Sequence, residues 1–297
     1  MKYLAILLFP LALSAQSLTG VIDIHAHADP DDSSKRPRSI DAIDLAKLAK
    51  DRGMRGFLLK NHYESTASLA YVVRKAVPGI EVFGGIVLNR PVGGINPAAV
   101  EYMAKTKGGW GRFVSMPTED AENQVRYEKA NRPFVPIVAN GQLRPEVKEV
   151  LALIARQNLT LATGHSSAEE NLMLVREAKR VGVQRIMVTH PLGRAVAMTI
   201  PQMQEAARLG AFLEIVTYQR TTSNNPPITT EEHVKAIRAV GPEHIILSSD
   251  TGQGGNPLHP DALATLFTTL REQGFTQAEI DRMAKRNPAT VLGLPNP

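Results

Sequence analysis

The chain of 297 residues contains no cysteine. Disulfides, zinc–thiolate centres, thiol nucleophiles and lipid attachment through cysteine are thereby excluded, and any metal must be held by His, Asp, Glu or a modified Lys. Cationic blocks are missing as well. The formal net charge is +5, yet Lys and Arg are scattered and not interleaved with aromatic residues, so nucleic acid is not an expected partner. No G-x-G-x-x-G fingerprint is present, which removes the main sign of a dinucleotide-binding open sheet. Beyond the N-terminus no apolar run is long enough to cross a membrane.

The N-terminus itself, MKYLAILLFPLALSA, is apolar on all sides after Lys2, and Ser14 and Ala15 supply small residues before Gln16. A short positive end, an apolar run too short to span a bilayer and a small-residue site make the layout of a secretory signal peptide. A buried first helix is the competing reading, and the lack of a polar face weighs against it. The expectation is a signal over residues 1–15 and one domain over 16–297, exported to the periplasm or secreted, with no stable membrane anchor after processing.

What the chain does have is a repeated alternation. Apolar residues make up 43% of it, enough for a sizeable core. GVIDIH, GFLLKNH, EVFGGIVLN, GRFVSM, LTLATGH, VQRIMVTH, GAFLEIVT and EHIILSSD read as eight strands, most followed by a helix-like stretch. Ser39 and Gly53 bracket the first helix, Asn96-Pro97 opens another, and SAEE from Ser167 is a capping box. Eight such units predict a (β/α)8 TIM barrel of the α/β class, distorted by one long connection, Pro117 to Arg144, between strands 4 and 5. FVPIVANG within that connection reads as a short hairpin, and the connection could form a lid.

Histidines gather at the predicted C-terminal strand ends. His25 and His27 follow the first strand, His62 the second, His165 the fifth and His190 the sixth, and Asp250 ends the eighth. In a (β/α)8 barrel these ends share one rim, where active sites are built. Residues i and i+2 of a strand face the same way, so His25 and His27 can both address one cation. A lone H-x-H is weak, and Asp250 alone could cap a loop, but together they point to a divalent metal site, with zinc the first candidate and one or two ions.

DIHAH, TGHSS, VTHPLG, SSDTGQ and the closing RNPATVLGL, in this order, resemble the amidohydrolase superfamily of metal-dependent barrel hydrolases over nearly the whole mature chain. GFLLKNHY, GGIVLNRPVGGINPAAVEYM and MPTEDAEN are similar to a small branch known only as a domain of unknown function. The resemblance implies that His25 and His27 hold the more buried metal, that His165 and His190 hold a second or assist the first, that Asp250 is ligand and general base, and that Asp23 orients a ligating His. One departure stands out. Such enzymes with two metals carry a bridging carboxylated Lys or a Glu at the end of strand 4, where this chain has Ser115 and Met116, with Glu119 and Asp120 too far along.

Lys60, on strand 2, is therefore open to three readings: a carboxylated bridge, an ammonium that binds substrate, or a structural partner of an acid. His62 is a candidate ligand or proton donor, Arg194 a candidate for an anionic substrate group or a solvated loop residue, and GGINP an anion-accepting turn or simply a tight one. The function expected is hydrolysis of an amide, lactone or ester of a small molecule, an anionic one among the candidates. A metal-dependent decarboxylase on the same barrel and a non-catalytic ligand-binding barrel are the alternatives. Oligomeric state stays open, a homo-oligomer included.

Overall fold

The computed structural model describes residues 17–32, 37–217 and 226–295. The expected signal peptide lies outside them.

Eight parallel strands form one sheet: β1 (Ile22–Ala26), β2 (Gly56–Leu59), β3 (Glu81–Val87), β4 (Gly111–Ser115), then β7 (Thr160–Ala162), β8 (Arg185–Val188), β9 (Phe212–Val216) and β10 (Ile245–Ser248). All eight predicted strands are present. The long connection contains helix α4 (Glu122–Tyr127) and the small antiparallel hairpin β5 (Val138–Ala139) and β6 (Gln142–Leu143). Asn140 and Gly141 turn that hairpin at φ 51° and 72°, the left-handed pair that two-residue hairpins require.

The sheet closes at its C-terminal rim. Ala26 bridges Thr251 in parallel, the His27 N–H donates to the Thr251 carbonyl at 3.0 Å, and the Asp250 N–H donates to the His25 carbonyl at 2.9 Å. An open doubly wound sheet is thus excluded, and the closing seam joins the two segments richest in candidate ligands. Gly252 makes the closure possible. Its φ is +117°, and a Cβ there would lie 1.9 Å from the His27 carbonyl oxygen.

Two apolar layers hold the fold. The outer layer packs strands against helices such as α1 (Ala42–Asp51), α5 (Pro145–Arg156) and α6 (Ala168–Arg180). The α1 cap is Asp41 rather than the expected Ser39: its carboxylate accepts from the Ile43 and Asp44 N–H groups, while Ser39 bonds the Gly252 carbonyl. Inside the barrel, Ile22, Ile24, Leu58, Phe83, Phe113, Ala162, Met187 and Ile246 form the floor, closed below by Ala289, Val291 and Leu292 around α11 (Asn287–Val291). Two residues further along the same strands the interior turns polar, with Lys60 above Leu58, Ser115 above Phe113 and Glu214 above Phe212. On β1 the register shifts between Asp23 and Ala26. This extra residue moves Ala26 and Ala28 into the outer layer and turns His25 and His27 into the mouth. Among the described residues no helix is long and apolar enough to cross a membrane.

Candidate metal centre

His25, His27 and Asp250 converge at the seam, with their ligand atoms within 4.8 Å of one another. Asp250 Oδ1 lies 3.1 Å from His25 Nε2 and 3.1 Å from His27 Nε2. Both rings are buried and the carboxylate is nearly so. Burial drives the pKa of His25 and His27 well below the usual histidine range, so both are neutral, the ligand form of imidazole.

Behind His25 stands Glu214, fully buried on β9. Its Oε1 is 2.9 Å from His25 Nδ1, and its Oε2 accepts the His190 backbone N–H at 3.2 Å. A carboxylate there takes the Nδ1–H of His25 and leaves the Nε2 lone pair facing the Asp250 oxygen. Two acceptors 3.1 Å apart repel unless something positive lies between them. Lys60 Nζ, 2.9 Å from His25 Nε2, supplies part of that charge. His27 Nδ1 is buried without a partner. The donor set of two neutral imidazoles and one carboxylate fits a divalent cation.

Glu214 escaped the sequence reading. A signal was available: one acid inside the apolar run AFLEIV is costly to bury without a partner. Asp23, expected to orient a histidine ring, instead anchors backbone. Its Oδ1 accepts the N–H of His25 at 3.1 Å and of Ser249 at 3.0 Å, and burial pushes its pKa up to about 7. His259, the first residue of the helix His259–Glu272, is buried and donates Nε2–H to the His27 carbonyl at 3.0 Å, buttressing that ligand from behind.

The other candidates surround the same cavity of about 410 Å³. The His190 ring stacks on His25 at 5.9 Å, His165 lies 4.9 Å from His190, and His62 stacks on His27 at 4.8 Å. None of these three joins the three-residue ligand group. His62 stands beyond the end of β2, its Nδ1 2.9 Å from Thr118 Oγ1. His190 and Asp250 both have positive φ, 21° and 53°, a strained conformation for side chains other than glycine that clusters at functional sites.

Lys60 is buried, its pKa lowered chiefly by desolvation, and among the described residues no carboxylate is in ion-pair contact with it. Strand β4 contributes no bridging acid, since Ser115 is buried and donates to the Met116 carbonyl. Glu119 is nearer than expected. The connection folds back so that Glu119, Gln124, Glu128 and Arg132 wall one side of the cavity, while Asp120 is held by Arg132 and the Arg90 N–H. Arg194 also lines the cavity. Its guanidinium grips Glu232 through two bonds of 2.7 and 2.9 Å and donates to the carbonyls of Pro226 and Pro227. GGINP forms a tight turn whose Asn96 side chain accepts the Ala99 N–H and so caps α3 (Pro97–Ala104), as expected.

Comparison with known proteins bears on the family and the fold. Residues 20–214 match DUF6282, a family of unknown function. No curated protein matches the sequence. Among solved structures, the phosphotriesterase homology protein from Escherichia coli, complexed with phosphate in its active site, is 18% identical with a TM-score of 0.58 over 93% of this chain and 99% of that one. An amidohydrolase from Burkholderia multivorans with bound zinc is 14% identical with a TM-score of 0.60 over 93% and 99%. A 2,6-dihydroxybenzoate decarboxylase complexed with 2,6-dihydroxybenzoate is 12% identical with a TM-score of 0.56 over 93% and 100%. The fold is the eight-stranded barrel that these three structures share.

Proposed function

The chain belongs to the DUF6282 family, and on that footing we propose that it is a metal-dependent hydrolase acting on an amide, lactone or ester bond of a small molecule. One observation carries the reading: two neutral imidazole nitrogens and the Asp250 carboxylate converge at the barrel mouth, with Glu214 fixing the tautomer of His25. A divalent ion held by His25, His27 and Asp250, zinc before others, would polarise a carbonyl and lower the pKa of a bound water. The zinc in the Burkholderia multivorans amidohydrolase supports that choice.

The chain's own groups do the rest. Asp250, at the lip of the cavity, accepts the proton from the attacking water and passes it to the leaving group. His165 and His190, whose pKa values are lowered by burial, are neutral N–H donors for the developing oxyanion. His62, anchored on Thr118, faces the leaving-group side. Lys60 serves as an ammonium for a substrate oxygen; its carboxylated form would instead add an anionic oxygen beside His25. Arg194 shapes the mouth rather than pairing with substrate, because Glu232 already engages it. Export, as the first fifteen residues suggest, is part of the same proposal.

The test is metal analysis of the purified protein, followed by an amide, lactone and ester panel with and without chelator. Absence of stoichiometric metal, together with unchanged turnover in His25→Ala, ends the reading. Release of carbon dioxide without incorporation of solvent oxygen would favour a lyase instead, a chemistry found on this fold in the 2,6-dihydroxybenzoate decarboxylase. Tight ligand binding without turnover by wild type and Asp250→Asn alike would favour a binding barrel. The intact mass of the metal-loaded protein distinguishes a carboxylated from a free Lys60.

A further inference from the structure

At the opposite end of the barrel lies a polar cavity of about 270 Å³. Its walls include Arg112 near the start of β4, Arg185 at the start of β8, Asn158 in the turn after α5, and Leu292 and Gly293 just past α11. Strand starts share the lower rim of a parallel barrel, so this cavity is separate from the histidine-lined mouth.

Two guanidinium groups meet here. Arg112 donates to the carbonyls of Gly109 and Leu292 at 3.2 and 2.9 Å. Arg185 has its Nε buried with no hydrogen-bond partner. The backbone of Gly293 passes against its guanidinium, where a Cβ would lie 2.8 Å from Nη1. Among the described residues neither arginine is in ion-pair contact with a carboxylate. Glu81, the acid whose charge reaches Arg112, is held by Arg55 at 3.0 Å. A third cation, Arg74, lies close enough for the charge of Arg112 to act on it and spends itself on the Trp110 ring and the Val82 carbonyl. Elsewhere arginines of similar exposure, such as Arg55, Arg132 and Arg194, each have an acid.

Partly buried like charges with unspent donors are unfavourable on two counts, desolvation and mutual repulsion. A small oxyanion relieves both, because each planar fork can donate two parallel bonds to it. We infer that Arg112 and Arg185 form a binding site for a small oxyanion of the phosphate class, which ties the C-terminal segment at Leu292 and Gly293 to strands β4 and β8. Asn158 also lines this cavity.

The experiment uses the full chain stripped of metal, so that phosphate cannot bind a cation at the mouth. Melting is followed in inorganic phosphate and in chloride at equal ionic strength. Wild type should gain roughly 2–5 °C in phosphate, the size expected for a ligand present well above its Kd. His25→Ala should keep that gain, which separates this site from the proposed metal centre. Arg185→Met should lose it. In phosphate-free buffer this variant should melt no lower than wild type, since repulsion by Arg112 is removed; a merely structural Arg185 predicts a lower melting point. If Arg185→Met does not fold, Arg185→Lys decides by calorimetric titration with phosphate, where an approximately tenfold weaker Kd is expected. No phosphate-specific gain in wild type, a gain retained by Arg185→Met, an unchanged Kd in Arg185→Lys, or a gain lost in His25→Ala overturns the assignment.

Discussion

The two rims of this barrel are built from the same eight strands and handle charge in opposite ways. At the upper rim, buried histidines are neutral and a carboxylate stands behind or beside each proposed ligand: Glu214 behind His25, and Asp250 between His25 and His27. At the lower rim, Arg112 and Arg185 stay cationic and half-buried, with no carboxylate in ion-pair contact among the described residues. An apolar floor of Ile22, Leu58, Phe83 and Phe113 lies between them. Acceptors left over at one end call for a cation, and donors left over at the other call for an anion. Burial is therefore informative through what remains unpaired, more than through which residue types are present.

The strongest way to break the contrast is at the upper rim. His25→Ala or Asp250→Asn should abolish stoichiometric metal binding and reduce turnover by more than the roughly 10–100-fold typical of losing a supporting residue, as read by metal analysis and kcat. Glu214→Gln should keep the fold but weaken metal affinity by about 10–100-fold, because a neutral amide holds the His25 tautomer less firmly; a chelator competition titration measures it. Unchanged affinity would show that Glu214 serves only the His190 backbone.

A smaller effect concerns acid sensitivity. Burial lowers the pKa of His233 from 6.5 to about 4, and that of His259 likewise to about 4. The unfolded chain binds protons at these sites below pH 6.5 and the folded one only near 4, so their contribution is complete above 6.5 and lost as pH falls from 6.5 to 4. Metal-free protein should lose roughly 2 kcal/mol per histidine between pH 7 and pH 5 in urea denaturation. His233→Gln should flatten the slope without touching the metal centre, whereas His259→Gln should also weaken metal binding through His27. The smallest change is expected at the mouth. Glu232 is held at a pKa of about 2 by its bond to Arg194, but the pair is partly exposed. Glu232→Gln should cost no more than about 1 kcal/mol in stability. A larger loss would mean that the Arg194 clamp on Pro226 and Pro227 organises more of the rim than its contacts indicate.

Much of this molecule was determined by local pattern. Strand and helix periods, the cap at Asn96, the box at Ser167 and the positions of His25, His27, His165, His190 and Asp250 at strand ends are properties of short segments, and short segments are what a sequence displays. Tertiary structure alone decided which of those residues meet. His25 and Asp250 are 225 positions apart and become neighbours because β1 closes on β10. The extra residue in β1, which turns His25 and His27 inward, depends on pairing with β2 and leaves no mark of its own in the sequence. His259 and Glu119 reach the site from elements whose local pattern is ordinary, and Glu214 from a strand marked only by one acid in an apolar run. Arg112 and Arg185 look like two more scattered cations until the lower rim brings them together. Local propensity acts through the nearest few residues, whereas the pairing of a buried charge depends on what the whole chain places beside it.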